Sequence, residues 1–112
     1  MMKWYRKLYI GEKAKKDRFK FIWQVKHRHI VWNGYVITLA SNEQNLLDII
    51  QVTELLQPYY KNRELFIVGI AKGYDEALIV AKDIIDEVYQ KTGEFNIRQF
   101  ILNCQKGNMS SS

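Results

Sequence analysis

The chain has 112 residues, of which 47% are hydrophobic and 26% are charged, a composition that fits one folded domain and excludes a low-complexity chain. The net charge of +5 is unevenly placed. Residues 1–30 carry a net charge of +8, whereas residues 31–112 carry −3. A basic N-terminal third on an acidic body predicts contact with nucleic acid, an anionic membrane surface or the acidic part of another copy.

No apolar run is long enough to span a membrane, and the N-terminus lacks the apolar core and cleavage site of a signal peptide. The single Cys104 cannot form an internal disulfide, and we interpret it as a small apolar residue in a reducing compartment. We therefore expect a cytoplasmic protein with no membrane span, folded over residues 1–106, followed by a disordered tail at 107–112.

The first two segments differ in how clearly they can be assigned. Residues 3–10 are rich in aromatic side chains, with Trp4, Arg6, Leu8 and Ile10 on one parity, and predict a strand that ends at Gly11. The alternative is an arm that becomes ordered only on a partner. Residues 13–29 fit either a helix or a strand, and their lysine-rich start favours the helix. The strand alternative gains support from Asn33-Gly34, because an Asn-Gly pair between apolar runs is typical of a hairpin.

The middle of the chain predicts a strand, a helix and a second strand. Residues 35–40 are dominated by β-branched and aromatic side chains and predict a strand. Ser41 and Gln44 have the spacing of a capping box, so we expect a helix over 44–57 that Pro58 terminates. Residues 65–71 form a continuous apolar run, which is typical of a buried strand.

The C-terminal part predicts two further helices. Apolar residues recur at helical spacing over 75–91, including Ala77, Ala81 and Ile84, and Gly93 follows as a stop. Residues 97–104 fit a short helix capped by Asn96, although a strand is also compatible with them.

These elements predict an α/β fold: a small single-domain sandwich with a short, mostly parallel sheet, built on a βαβ core at residues 35–91. In that arrangement strands 35–40 and 65–71 are parallel and joined by a right-handed crossover. The alternative is an α+β fold with an N-terminal hairpin around Asn33-Gly34. A homodimer that completes the sheet is a further possibility.

Two surfaces are candidate sites. In a parallel sheet, loops after the strands share one edge and can hold a small anion. This candidate ligand edge comprises Ser41, Asn42, Lys72, Gly73 and Tyr74. The acidic residues Asp75 and Glu76 oppose this interpretation, and the chain contains neither GxxxxGK[ST] nor GxGxxG.

The second candidate is an interaction surface in the basic segment, comprising Lys13, Lys15, Lys16, Arg18, Lys20, Trp23 and Lys26. Phe19, Phe21 and Trp23 are interleaved in this basic segment, and cations together with aromatic rings are the ingredients of nucleic-acid binding. The simpler interpretation is a solvated helix whose aromatic residues belong to the core.

The sequence offers no catalytic or metal constellation. His27 and His29 diverge on a helix, and Cys104 has no CxxC partner, so we expect neither metal nor cofactor. We therefore predict a non-enzymatic protein-interaction or self-association module that uses the basic N-terminal third. The alternatives are a nucleic-acid-binding protein that uses residues 3–28, and a small anionic-ligand binder at the strand-end loops.

Overall fold

A computed structural model describes residues 2–40 and 46–106 of the chain. The strands of these residues form one mixed four-stranded sheet in the order β1-β4-β2-β3. Strand β1 is parallel to β4, and β2 is antiparallel to both of its neighbours. The strands are β1 (Met2–Ile10), β2 (Gly34–Leu39), β3 (Leu47–Gln51) and β4 (Leu65–Lys72).

Short and long helices surround the sheet. They are α1 (Glu12–Lys15), α2 (Arg18–Lys26), a 3-10 helix (Val52–Leu56), α3 (Pro58–Lys61), α4 (Tyr74–Thr92) and α5 (Ile97–Gln105).

Two hydrophobic clusters hold these layers together. Ile37 and Val68 belong to the first cluster, with residues of α4 and α5. Val36 and Ile67, one residue earlier on the same two strands, belong to the second cluster, with residues of α1, α2 and the 3-10 helix. Because neighbouring strand residues point to opposite faces, the central strands are covered on both sides. The α/β class is therefore confirmed.

Most predicted elements are confirmed. Strands form at 2–10, 34–39 and 65–72, and residues 18–26 are helical, as the lysine-rich start of that segment favoured. The helix α4 ends at Gly93, whose left-handed φ of 74° suits glycine. Helix α5 is capped as predicted, because the Oδ1 atom of Asn96 accepts a hydrogen bond from the Gln99 N–H at 3.2 Å.

The predicted helix over 44–57 is wrong in the residues that the structure describes. Residues 47–51 form strand β3, which pairs with β2 from Tyr35↔Gln51 to Leu39↔Leu47. This pairing satisfies the backbone groups along the outer edge of β2, which local helical periodicity cannot reveal. Pro58 begins α3 instead of ending a long helix, because its ring suits the first turn. The predicted capping residues Ser41 and Gln44 lie outside the described residues.

The mostly parallel sheet and its right-handed crossover are also wrong. Strands β2 and β4 are antiparallel neighbours, with Gly34 opposite Lys72, so no parallel βαβ unit joins them. Only the β1–β4 pair of the described sheet is parallel.

The alternative N-terminal hairpin is wrong as well, because helix α2 precedes the Asn33-Gly34 pair. Asn33 adopts the left-handed conformation, with φ of 57°, in a turn closed by the Gly34 N–H donating to the Val31 carbonyl at 3.1 Å. The pair therefore connects a helix to a strand. The predicted tail at 107–112 lies outside the described residues.

Candidate functional site

Helices α1 and α2 pack apolar side chains against the sheet and leave the cations of the basic segment exposed to solvent. Ala14 of α1 and Phe21 and Val25 of α2 are buried in the second hydrophobic cluster. Phe21 and Val25 are four residues apart and mark the inner face of α2. All seven residues of the predicted interaction surface are exposed: Lys13, Lys15, Lys16, Arg18, Lys20, Trp23 and Lys26.

Large aromatic side chains are exposed on the same elements. Phe19 is 76% exposed and Trp23 is 52% exposed, whereas Phe21 between them is only 1% exposed. Trp32, in the loop after α2, is 82% exposed. The interpretation of these rings as core therefore holds for Phe21 and fails for Phe19 and Trp23. We define the basic–aromatic surface as Lys13, Lys15, Lys16, Arg18, Phe19, Lys20, Trp23, Lys26 and Trp32.

The cations of this surface are mostly unpaired. Within the described residues, the salt bridges from it are limited to Lys15, whose Nζ lies 3.1 Å from Glu12. That pair is itself exposed, so it stabilises the fold little and leaves the lysine available to a partner. Arg18 lies over the Phe19 ring, with 4.9 Å between the guanidinium carbon and the ring centroid.

The two histidines pack on Trp23. The chain turns back after α2, and the ring centroids of His27 and His29 lie 4.4 and 5.0 Å from that of Trp23. Arg28 anchors this turn by donating from its guanidinium to the Leu55 carbonyl at 3.0 Å. Among the residues that the structure describes, no group of three or more His, Cys, Asp or Glu side chains is placed to hold a metal ion.

Trp32 lies beside a shallow cleft between α2 and the sheet edge. The cleft has a volume of about 140 Å³ and is lined by Asp17, Lys20, Phe21, Gln24, Ile30, Val31, Trp32 and Lys72. Lys72, which the sequence placed at the ligand edge, thus belongs beside the basic–aromatic surface. Its Nζ lies 3.4 Å from an oxygen of Asp17.

The sequence did not single out Trp32 as part of this surface. The available signal was its position beside Asn33-Gly34, because a turn residue next to a helix end has few neighbours to bury it.

The predicted ligand edge is already occupied by a carboxylate of the protein. Glu76 is only 7% exposed. Its oxygens accept hydrogen bonds from the backbone N–H groups of Lys13 at 2.7 Å, Ala14 at 3.3 Å and Lys72 at 2.9 Å. A bound anion at this edge would use these N–H groups, at the start of α1 and the end of β4. Their pairing with Glu76 argues against a phosphate site there.

The remaining edge residues are engaged or separated. The Gly73 N–H donates to the Asn33 carbonyl at 2.8 Å, and the ring of Tyr74 packs edge-on against Tyr35 at 5.8 Å. Strand β2 runs antiparallel to β4 and ends at the opposite edge, so the prediction that its end lies beside Lys72 is wrong. Ser41 and Asn42 themselves lie outside the described residues.

A larger cavity, of about 660 Å³, opens at that opposite edge near the ends of β2 and β3. Thr38 lines it, and its buried hydroxyl has no hydrogen-bond partner among the described residues. Among the described residues that line it, the three cations Lys3, Arg63 and Arg98 are matched by the three acids Asp48, Glu54 and Glu64. These lining residues together carry no net charge that would select an ion.

The first hydrophobic cluster involves two tyrosines, Tyr5 and Tyr9, whose neutral form is stabilised. Burial raises the pKa of Tyr5, and a hydrogen bond with Cys104 raises it further. Burial also raises the pKa of Tyr9, whose hydroxyl donates to a Glu87 oxygen at 2.9 Å. Cys104 is buried in this cluster, whereas His27 and His29 are exposed and pack on Trp23, so we interpret Tyr5, Tyr9 and Cys104 as part of the packing.

Comparisons with protein-family models, with curated proteins and with solved structures found no match to this chain. None of the helices in residues 2–40 and 46–106 combines the length and apolar character required to cross a membrane. The function proposed below is therefore inferred from the chemistry of the basic–aromatic surface alone.

Proposed function

We propose that the protein is a non-enzymatic nucleic-acid-binding protein and that the basic–aromatic surface is its contact surface. The observation that carries the proposal is the exposure of Phe19 and Trp32, at 76% and 82%, beside lysines that have no salt-bridge partner in the described structure. Nucleic acids present phosphates and flat bases together, and lysines with exposed rings match both.

Charge supports this partner over an uncharged protein. The segment from Glu12 to Lys26 contains six lysines and arginines but only two acids, a net charge of +4. Neutralising phosphates releases the counterions condensed on nucleic acid, which favours binding and makes it sensitive to salt. The exposed rings add an attraction that an ordinary solvated lysine-rich helix does not supply.

The test measures binding of a fluorescently labelled single-stranded oligonucleotide of about 12 nucleotides by anisotropy. We expect replacement of Lys15, Lys16 and Lys20 by Gln to weaken binding at least roughly tenfold, because three phosphate contacts are lost. If about four phosphates are neutralised, wild-type affinity falls roughly 50-fold between about 50 and 200 mM salt.

The control replaces three exposed lysines elsewhere by Gln: Lys61, Lys82 and Lys106. Both variants lose the same net charge, so a general electrostatic attraction would weaken them equally. We expect the control to bind within about threefold of wild type, since it keeps the surface contacts. Equal losses in the two variants, or no binding by the wild type, would contradict the proposal.

Self-association through the same surface is the second candidate function. Helix α4 exposes Leu78 and Ile79, at 46% and 58%, between the exposed acids Asp75 and Asp83. This acidic and aliphatic face complements the basic–aromatic surface of a second copy. The candidate predicts a dimer or larger assembly by light scattering that the replacement of Lys15, Lys16 and Lys20 dissociates. A monomer at all salt concentrations would exclude it.

A further inference from the structure

Trp32 differs from the other exposed aromatic residues in having its ring faces unused. Trp23 packs against two histidine rings and Phe19 lies under Arg18. Within the described part of the chain, Trp32 has neither a ring partner nor a cation above it. Its 82% exposure leaves a flat apolar surface of indole size open to solvent.

The cleft beside Trp32 supplies the polar groups that surround a nucleotide. Lys20 and Lys72 line it and can contact phosphates, although Lys72 also pairs with Asp17 at 3.4 Å. Gln24 lines the same cleft, and its amide offers both a donor and an acceptor to the edge of a base. A stacking ring, phosphate-binding cations and an edge-reading amide thus surround one small space of about 140 Å³.

These features favour unpaired over paired nucleic acid as the ligand. In a duplex the base faces are covered by their neighbours, so an exposed ring has nothing to stack on without unstacking the helix. In a single strand the bases can splay out onto aromatic side chains while cations follow the backbone. Helix α2 also displays phenyl and indole rings outward, between its lysines and Arg18, where a groove-reading helix displays base-contacting polar groups.

We infer, on the basis of the proposed function, that the ligand is single-stranded nucleic acid and that one unpaired base stacks on Trp32 with its edge towards Gln24. Lys20 and Lys72 contact the phosphates on either side of that nucleotide. The remaining lysines of the basic–aromatic surface follow the adjoining backbone.

The experiment compares four ligands of equal length, about 12 nucleotides: two single strands of different sequence, a duplex, and an abasic strand that retains the phosphates but has no bases. We expect the single strands to bind roughly tenfold or more tightly than the abasic strand. This difference corresponds to the contribution of one stacked base.

Two variants separate stacking from charge. Trp32→Leu keeps an apolar side chain without a ring face, and we expect it to bind single strands roughly tenfold more weakly, with unchanged binding of the abasic strand. Trp32→Phe keeps a ring and should stay within about threefold of wild type. Trp32 is exposed, so both variants should have the melting temperature of the wild type.

Each outcome separates the inference from the proposed function. Equal binding of abasic, duplex and single strands by the wild type would overturn the inference while leaving phosphate binding intact. Unchanged single-strand binding by Trp32→Leu would also overturn it. Absence of binding to all four ligands would overturn both, and an assembly seen by light scattering would then assign the surface to a second copy.

Discussion

Glu76 determines how the basic segment is held. Its buried carboxylate joins the start of α1 to the end of β4 through three backbone N–H groups, those of Lys13, Ala14 and Lys72. Hydrogen bonds that an ionised acceptor makes are stronger than neutral ones. A side chain at Gly11 would collide with this carboxylate, so the glycine provides the space for it. Glu76 therefore acts as an internal anion that holds the start of α1, the helix that carries Lys13 and Lys15, against the end of β4.

We expect Glu76→Gln to lower the free energy of unfolding by about 2–3 kcal/mol. The amide loses the negative charge and directs an N–H₂ group at backbone donors, which leaves at least one buried N–H without an acceptor. Urea unfolding followed by circular dichroism measures the change. Asp83→Asn on the exposed face of α4 is the matched control, and it should stay within about 0.5 kcal/mol. Equal effects of the two variants would show that Glu76 does not cap α1.

At the scale of elements, helix α4 shows where periodicity is a reliable guide. Its buried apolar residues line up on one face over five turns, and Ala77, Ile84 and Val88 among them are completely buried against the sheet. Acidic residues in the first turn and a left-handed Gly93 agree with the same boundaries. Several independent signals thus converge, which is why the predicted helix and the observed one nearly coincide.

Ile84 and Ile79 test this packing on one helix. Ile84 is 0% exposed and Ile79 is 58% exposed. Ile84→Asp should prevent cooperative folding, because it buries an unpaired charge in the cluster beneath α4. Ile79→Asp places the same charge in solvent and should change the free energy of unfolding by less than about 1 kcal/mol. Thermal melts followed by circular dichroism compare them, and similar melting curves would contradict the observed helix register.

Strand β3 shows where local pattern fails. The residues from Leu46 to Leu56 carry apolar side chains at spacings that fit a helix, yet Leu47–Gln51 form a strand. Their conformation depends on β2, whose outer edge needs a hydrogen-bonding partner. The β-branched Ile49 and Ile50 suit that role. Because the deciding partner, β2, lies outside the segment, the propensities and the apolar spacing within the segment could not decide between helix and strand.

At the scale of the whole molecule, the sequence located the basic surface but not its details. The concentration of charge in residues 1–30 pointed to this segment, and the seven residues of the predicted interaction surface are all exposed, while their contact with a partner stays a prediction. Which rings are exposed depends on the direction in which α2 packs, and this places Phe21 inside and Phe19 outside.

The ligand edge was predicted from an assumed parallel strand order, and the observed order changes which loops meet. Strand order is set by contacts between elements that are far apart in the chain, so a single sequence does not reveal it. The same order brings Lys72 beside Trp32, a neighbourhood that spacing along the chain could not predict.

Contact between the basic–aromatic surface and nucleic acid can be mapped residue by residue. Its most direct test is a titration of isotope-labelled protein with a single-stranded oligonucleotide, followed by backbone amide and indole resonances. We predict that shifts concentrate in α1, α2 and residues 27–33, with a large change at the Trp32 indole, while the outer face of α4 stays unchanged. Shifts centred on α4 or on the cavity near Thr38, or no shifts at all, would contradict the proposed contact.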